Sequence, residues 1–178
     1  MIIKISITKT ILALILFNIV SINISAQQSS VQKIQYVCTP CGIKCDEEVF
    51  DAPGKCPICE MELVDKKTIK HKSVSPNELS NFLKLTNNLV LLDVRTKEEY
   101  NGQVKPNFGT LKNAINIPIS DIENGGFQKL DKNATILVYC SHSHRSSRVS
   151  YLLTQNGFKN VINLLGGMSE LKDKTLVQ

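Results

Sequence analysis

Thr135-Ile136-Leu137-Val138-Tyr139-Cys140-Ser141-His142-Ser143-His144-Arg145-Ser146-Ser147 decides how the second half of this chain is read. Five apolar or β-favouring residues form a short continuous run, the pattern of a strand buried on both faces. The run stops at Cys140, polar residues follow, and Val149, Leu152 and Leu153 then recur at helical spacing. A cysteine at the C-terminal end of a strand, under a loop that feeds a helix, meets backbone N–H groups and the positive end of a helix dipole. Both favour a thiolate over a thiol. Arg145 adds a fixed cation, so Cys140 reads as a nucleophile and not as a small core hydrophobe.

Working outward, Leu89-Val90-Leu91-Leu92, Ala114-Ile115-Asn116-Ile117 and Val161 to Leu164 give three further short strands. Helix starts are marked by Ser75-Pro76-Asn77-Glu78 and Thr96-Lys97-Glu98-Glu99, each with the signature of a capping box. Gly157 ends the helix after Cys140, and Gly166-Gly167 opens a closing helix. Strands alternating with helices imply an α/β domain over residues 73–178, a mostly parallel sheet flanked by helices. Its sites are expected at the carboxyl ends of its strands.

The chain has 178 residues, 42% apolar and 21% charged, which suits one ordinary domain and a small module. Lys4 and Lys9, an apolar stretch from Ile11 to Val20, and Ala26 give residues 1–26 the pattern of a secretory signal peptide. The stretch is short for a membrane span. An exported protein, periplasmic or secreted, is therefore expected, without a stable membrane span once the leader is cleaved; an uncleaved anchor is the competing reading. Residues 27–35 read as a tether and 65–72 as a charged linker in which His71 is solvated. Without the leader, 19 basic residues face 16 acidic ones. That excess is too small, and too little interleaved with aromatics, for nucleic acid. Oligomeric state is not legible.

Residues 36–64 hold five of the six cysteines. Cys38-Thr39-Pro40-Cys41 and Cys56-Pro57-Ile58-Cys59 are two C-x2-C pairs separated by fourteen residues, a spacing that closes a tetrahedral four-sulfur site for Zn2+. So small a segment needs a metal or disulfides to fold. Cys38, Cys41, Cys56 and Cys59 are the candidate ligands, with Cu(I) as the other candidate metal; Met61 reads first as a buried methionine and second as a thioether ligand for Cu(I). Disulfides are the alternative. Cys45 is left over, to replace a ligand or pair with Cys140.

Two resemblances follow from these residues. Leu92-Asp93-Val94-Arg95, Glu98-Glu99-Tyr100, Asn113 to Pro118, Val138-Tyr139-Cys140 through Arg145-Ser146, and Gly166-Gly167-Met168 resemble, in order, the motifs of the single-domain rhodaneses. The resemblance implies a sulfurtransferase in which Cys140 takes the outer sulfur of thiosulfate or a related small anionic donor. A thiol acceptor or cyanide then removes it, and the domain needs no cofactor. It implies catalytic roles for Cys140 and Arg145 and a substrate-binding loop of Ser141, His142, Ser143 and His144. On the competing reading the two histidines are solvent-facing. Four residues lie between Cys140 and Arg145, against five in phosphatases of related architecture, which favours sulfur over phosphate. The family's usual glycine at the fourth loop position is Ser143 here, its histidine and glycine before the Ala-Ile-Asn-Ile-Pro stretch are Thr110 and Asn113, and its closing-helix tryptophan is Leu171. Tyr36-Val37-Cys38 and Pro53 through Val64 resemble the small heavy-metal-binding domain of copper and zinc efflux components, with Glu60 where that family has glycine. The class opposed to an enzyme is a metal-handling or sulfur-sensing binding protein that uses the rhodanese-like domain as an interaction surface.

Overall fold

The computed structural model describes residues 33–178; the expected signal peptide and most of the tether lie outside the described residues. Among the described residues no helix is long and apolar enough to cross a membrane. Residues 33–178 form one compact unit.

Five parallel strands make the main sheet: β3 (Lys72–Val74), β4 (Leu89–Asp93), β5 (Ile115–Asn116), β6 (Thr135–Tyr139) and β7 (Asn160–Leu164), in the spatial order β3-β7-β6-β4-β5. The central strand β6 shows why its run is apolar throughout. Ile136, Val138 and Cys140 point into one core with Leu92, Val149, Leu153 and Val161. Leu137 and Tyr139 point into the other with Leu79, Ile162, Leu164 and Met168. A strand covered on both faces has no solvent side, so the polar half of the usual alternation disappears. The helices α1 (Leu79–Leu85), α2 (Lys97–Tyr100), α3 (Ile119–Glu123) and α4 (His144–Gln155) connect the strands. Gly157, at φ 86°, ends α4, and Phe158 turns back into the core beside Val149 and Leu153.

The capping box at Thr96 forms as read: the hydroxyl accepts from Glu99 N, and Glu99 accepts from Thr96 N. At Ser75 only half does. Glu78 accepts from both the amide and the hydroxyl of Ser75, so the hydroxyl is a donor, and regular helix begins at Leu79. The closing helix expected after Gly166-Gly167 is a single 3-10 turn, Gly167–Ser169.

Residues 36–64 form a small ribbon. β1 (Tyr36–Val37) pairs antiparallel with β2 (Val64–Asp65), and bridges join Tyr36 to Phe50 and Lys55 to Glu62. Its core is Cys38, Cys45 and Cys56 under Ile43, Phe50, Met61 and Leu63.

The stretch 65–72 does not behave as a free linker. Asp65 caps a 3-10 turn at Lys66–Thr68, Thr68 hydrogen-bonds the Tyr151 hydroxyl at 3.0 Å, and its carbonyl accepts from Gln155. Lys72 already belongs to β3. His71 is 8% exposed, and neither ring nitrogen has a partner among the described residues. Burial therefore holds its pKa down at about 4 from 6.5. The unfolded chain takes up the proton first, so His71 favours the folded state above pH 6.5, and this contribution is lost as pH falls towards 4. The loss amounts to roughly 3 kcal/mol. Urea unfolding at pH 7 and pH 4.5 should show it, and His71→Leu should flatten that part of the profile.

Candidate functional site

Cys140 follows β6 directly, is 1% exposed, and begins a loop that turns into α4 at His144. Two backbone bonds from the turn after β7 fasten the loop: Met168 N donates to Cys140 O, and Ser169 N to Ser141 O, both at 2.9 Å. Gly167 permits this approach. A Cβ there would lie 2.5 Å from Cys140 O and 2.6 Å from Ser141 O. Among the described residues the amide N–H groups of Ser141, His142 and Ser143 have no protein acceptor, and the first amides of α4 are orphaned as at any helix start. The residues that directly follow Cys140 therefore keep unpartnered N–H groups, a feature suited to holding a second, negatively charged sulfur bound to it.

Ser143 holds the tightest part of the turn at φ 70°, ψ −20°. A left-handed serine costs on the order of 1 kcal/mol relative to glycine. It is fixed from three sides: Asn163 Nδ2 donates to its hydroxyl at 2.9 Å, and its carbonyl accepts from Ser146 Oγ and Ser147 N. Ser143→Gly should leave stability near wild type, because relief of strain offsets the lost hydrogen bond. Ser143→Ala keeps the strain and loses the bond, so it should unfold about 1 kcal/mol more easily than Ser143→Gly, read by denaturant titration. The other two departures from a family glycine have the same geometry: Asn113 has φ 63° and Glu60 φ 60°.

Arg145 was expected to hold the donor anion, but its guanidinium is already engaged. Nη1 and Nη2 reach the two carboxylate oxygens of Glu99 at 2.6 and 2.7 Å, and Nη2 also lies 3.4 Å from Ser141 Oγ. Glu99 accepts from the Ser141 hydroxyl as well, at 3.0 Å. These bonds, Arg145 foremost, hold the Glu99 carboxyl at about 2, against the opposing effect of burial. Glu99 also raises the Arg145 pKa, with a smaller contribution from the neighbouring Cys140 sulfur. Arg145 thus ties the loop to the helix α2 while its charge still acts on the neighbouring Cys140 sulfur. Sequence reading placed Glu99 in the capping box of α2 and in the Glu98-Glu99-Tyr100 motif, and missed its bond to Arg145. The paired acidic residues on a helix preceding the cysteine loop were the available signal.

His142 is exposed and stacks edge-on with Phe108 at 5.5 Å, while His144 starts α4. Both open on a cleft of 770 Å3 whose other walls include Gly166, Ser169, Glu170 and Lys172 and, from the ribbon, Gly42 and Ile43. The cleft therefore joins the cysteine loop to the cysteine-rich ribbon. Asp93 and Arg95 stay out of it: they form a buried pair, with Arg95 also donating to Gly109 O and Thr110 Oγ1.

The ribbon corrects the ligand set. Cys38, Cys45, Cys56 and Cys59 bring their sulfurs together, whereas Cys41 lies outside that group. The Cys38–Cys59 and Cys45–Cys59 sulfurs are 3.7 and 3.6 Å apart. A disulfide needs about 2.05 Å. A tetrahedral ion with sulfurs at about 2.3 Å needs edges of about 3.8 Å, so the cluster fits a closed four-thiolate site. Burial raises the pKa of Cys38, and Cys56 is lowered to about 7 because the amides of Ile58 and Cys59 outweigh its burial. Ile58 N lies 3.4 Å from the Cys56 sulfur, the amide-to-sulfur bond expected of a metal knuckle. Cys41 is turned away by Asp46, whose carboxylate accepts from the amides of Cys41 and Gly42 at 2.9 and 2.7 Å and from the Cys41 thiol at 3.5 Å.

A parallel five-stranded sheet with a cysteine directly after its central strand, on a loop that feeds a helix, is an α/β architecture with its candidate site at the carboxyl ends of the strands. The rhodanese-like domain family matches residues 75–174, and the heavy metal binding domain family matches residues 35–66. The chain belongs to the rhodanese family. It is 31% identical over 84 residues to the thiosulfate sulfurtransferase GlpE of Coxiella burnetii, covering 47% of this chain and 72% of that one. It is also 31% identical over 100 residues to a tRNA uridine(34) hydroxylase of Buchnera aphidicola, covering 53% of this chain but only 30% of that protein. The crystal structure of a rhodanese-like domain protein from Staphylococcus aureus superposes with a TM-score of 0.50 at 31% identity, over 59% of this chain and 95% of that one.

Proposed function

We propose that this chain is an exported sulfurtransferase that carries sulfane sulfur on Cys140. The observation that supports it most is the run of unpartnered amides at residues 141–143, directly after a cysteine that ends the central strand. The Cys140 thiolate attacks the outer sulfur of thiosulfate or a related anionic donor. The donor's S–S bond breaks, sulfite leaves with its electron pair, and Cys140 holds a persulfide whose outer sulfur bears the charge. The loop amides stabilise that charge. A thiolate or cyanide then attacks the outer sulfur, and Cys140 leaves as thiolate. His142 and His144, on the cleft wall, meet the donor or acceptor. Export rests on the leader pattern alone.

For the ribbon, the four-sulfur geometry favours Zn2+, with Cu(I) the alternative for a thiolate-rich site. The ion would be held by Cys38, Cys45, Cys56 and Cys59, and would supply folding free energy and no step of sulfur transfer. The test of the enzyme reading is thiocyanate formation from thiosulfate and cyanide by the full chain. Turnover that disappears in Cys140→Ser supports it; a full chain without turnover under any donor tried overturns it.

A further inference from the structure

We propose that metal occupancy of the ribbon sets the conformation of the Cys140 loop, with Asn163 as the positioning residue that links them; this rests on the sulfurtransferase and metal-site readings above. Asn163 lies in β7 and is fully buried. Its Nδ2 spends one hydrogen on Pro40 O in the ribbon and the other on Ser143 Oγ in the cysteine loop, both at 2.9 Å. A second bond runs beside it: Gly166 N donates to Cys41 O at 3.1 Å, one residue before Gly167, which packs on Cys140 O.

Pro40 and Cys41 lie between Cys38 and Cys45, two of the four sulfurs of the cluster. A bound ion fixes both ends of this segment, and so fixes the two carbonyls that β7 and its following turn use. Without the ion, a ribbon this small has little apolar burial to hold the segment in place. The Pro40 carbonyl then drifts, the Asn163 amide loses one of two fixed partners, and the hydroxyl that keeps Ser143 left-handed is released. Ser143 is where a small loss matters, since its backbone is already strained at φ 70°. Relaxation there widens the loop, exposes Cys140 and disturbs the run of amides. The two consequences have opposite signs: a neutral alkylating reagent reaches Cys140 faster, while thiosulfate loads it more slowly.

The test compares the full chain loaded with Zn2+ and stripped with a chelator, with occupancy read by native mass spectrometry. Alkylation of Cys140 by iodoacetamide is followed on its own peptide, with circular dichroism to show that the fold persists. Stripping the wild type should speed alkylation on the order of tenfold, the worth of one net hydrogen bond, and slow persulfide formation. Asn163→Leu, still Zn-loaded, should approach the stripped wild type and keep only the small response to chelator that the Gly166–Cys41 bond transmits; Ser143→Ala provides the same test should Asn163→Leu fail to fold. A wild-type Cys140 indifferent to chelation, or an Asn163→Leu protein that responds in full, overturns the proposal, as does a ribbon that binds no metal. A chelator-sensitive alkylation rate without any persulfide would leave the coupling and remove the sulfurtransferase reading. Persulfide formation with metal-indifferent alkylation does the reverse.

Discussion

Cys45→Ser should lower Zn2+ affinity by roughly a hundredfold or more, while Cys41→Ser keeps the metal. Structural zinc in small ribbons binds with about 10–16 kcal/mol, so each of four ligands carries several kcal/mol. Cys45 lies 3.6 Å from Cys59, at the edge length of a tetrahedral sulfur site. Cys41 is as deeply buried as Cys45 but bonds Asp46. Its replacement by serine leaves in place the main-chain bonds to Asp46 and from Gly166, which make Cys41 a joint between ribbon and domain. Competition with a chromophoric chelator measures both variants. Equal loss in the two would contradict this assignment, and loss in Cys41→Ser alone would restore the ligand set that the C-x2-C spacing suggests.

Asp93→Ala should destabilise the domain by about 3–5 kcal/mol, the cost of stranding a buried charge. Arg95 and Asp93 have side-chain exposures of 2% and 0%, with Nη2 to Oδ2 at 2.7 Å and Nε to Oδ1 at 3.0 Å. Burial opposes the Arg95 charge, and the hydrogen bonds it donates to Asp93 overcome it. Arg95 also holds the approach to β5 through Gly109 and Thr110, and its guanidinium lies 5.8 Å from the Tyr139 ring. Removing the carboxylate therefore leaves a cation inside the sheet edge, next to the strand that carries Cys140. Thermal unfolding should shift by roughly 10 °C. Asp93→Leu combined with Arg95→Met should recover much of the loss, because neither charge then remains buried. A double variant as unstable as Asp93→Ala would mean that the pair acts through its hydrogen bonds to residues 109–110 and not through charge.

These two pairs mark what the sequence made legible. Strands β4 and β6 are plain in the chain because each is a continuous apolar run, and β7 is nearly so, its buried Asn163 apart. Cys140 and its loop length were legible for the same reason, since the run ends where the chemistry begins. The ligand set was not. Spacing counts residues along the chain, and Asp46 reverses the turn at Cys41 and Gly42 through hydrogen bonds that no count contains. Glu99 was hidden by having two roles, a local one that a capping box explains and a long-range one to Arg145. His71 and Thr68 stood in a charged stretch, where the burial of His71 and the bond from Thr68 to Tyr151 of α4 depend on the tertiary fold. The closing helix shrank to one turn because Gly166 and Gly167 both take positive φ, at 69° and 64°, to bring the backbone onto the Cys140 loop.

Cys140 as a persulfide carrier is the claim on which the rest depends, and the mass of its own peptide tests it most directly. The full chain is incubated with thiosulfate, digested without reductant, and the peptide containing Cys140 is weighed before and after cyanide. A gain of one sulfur atom on that peptide, removed by cyanide and missing in Cys140→Ser, is the predicted result. An unchanged Cys140 peptide, with thiosulfate in excess and Zn2+ bound to the ribbon, would contradict it.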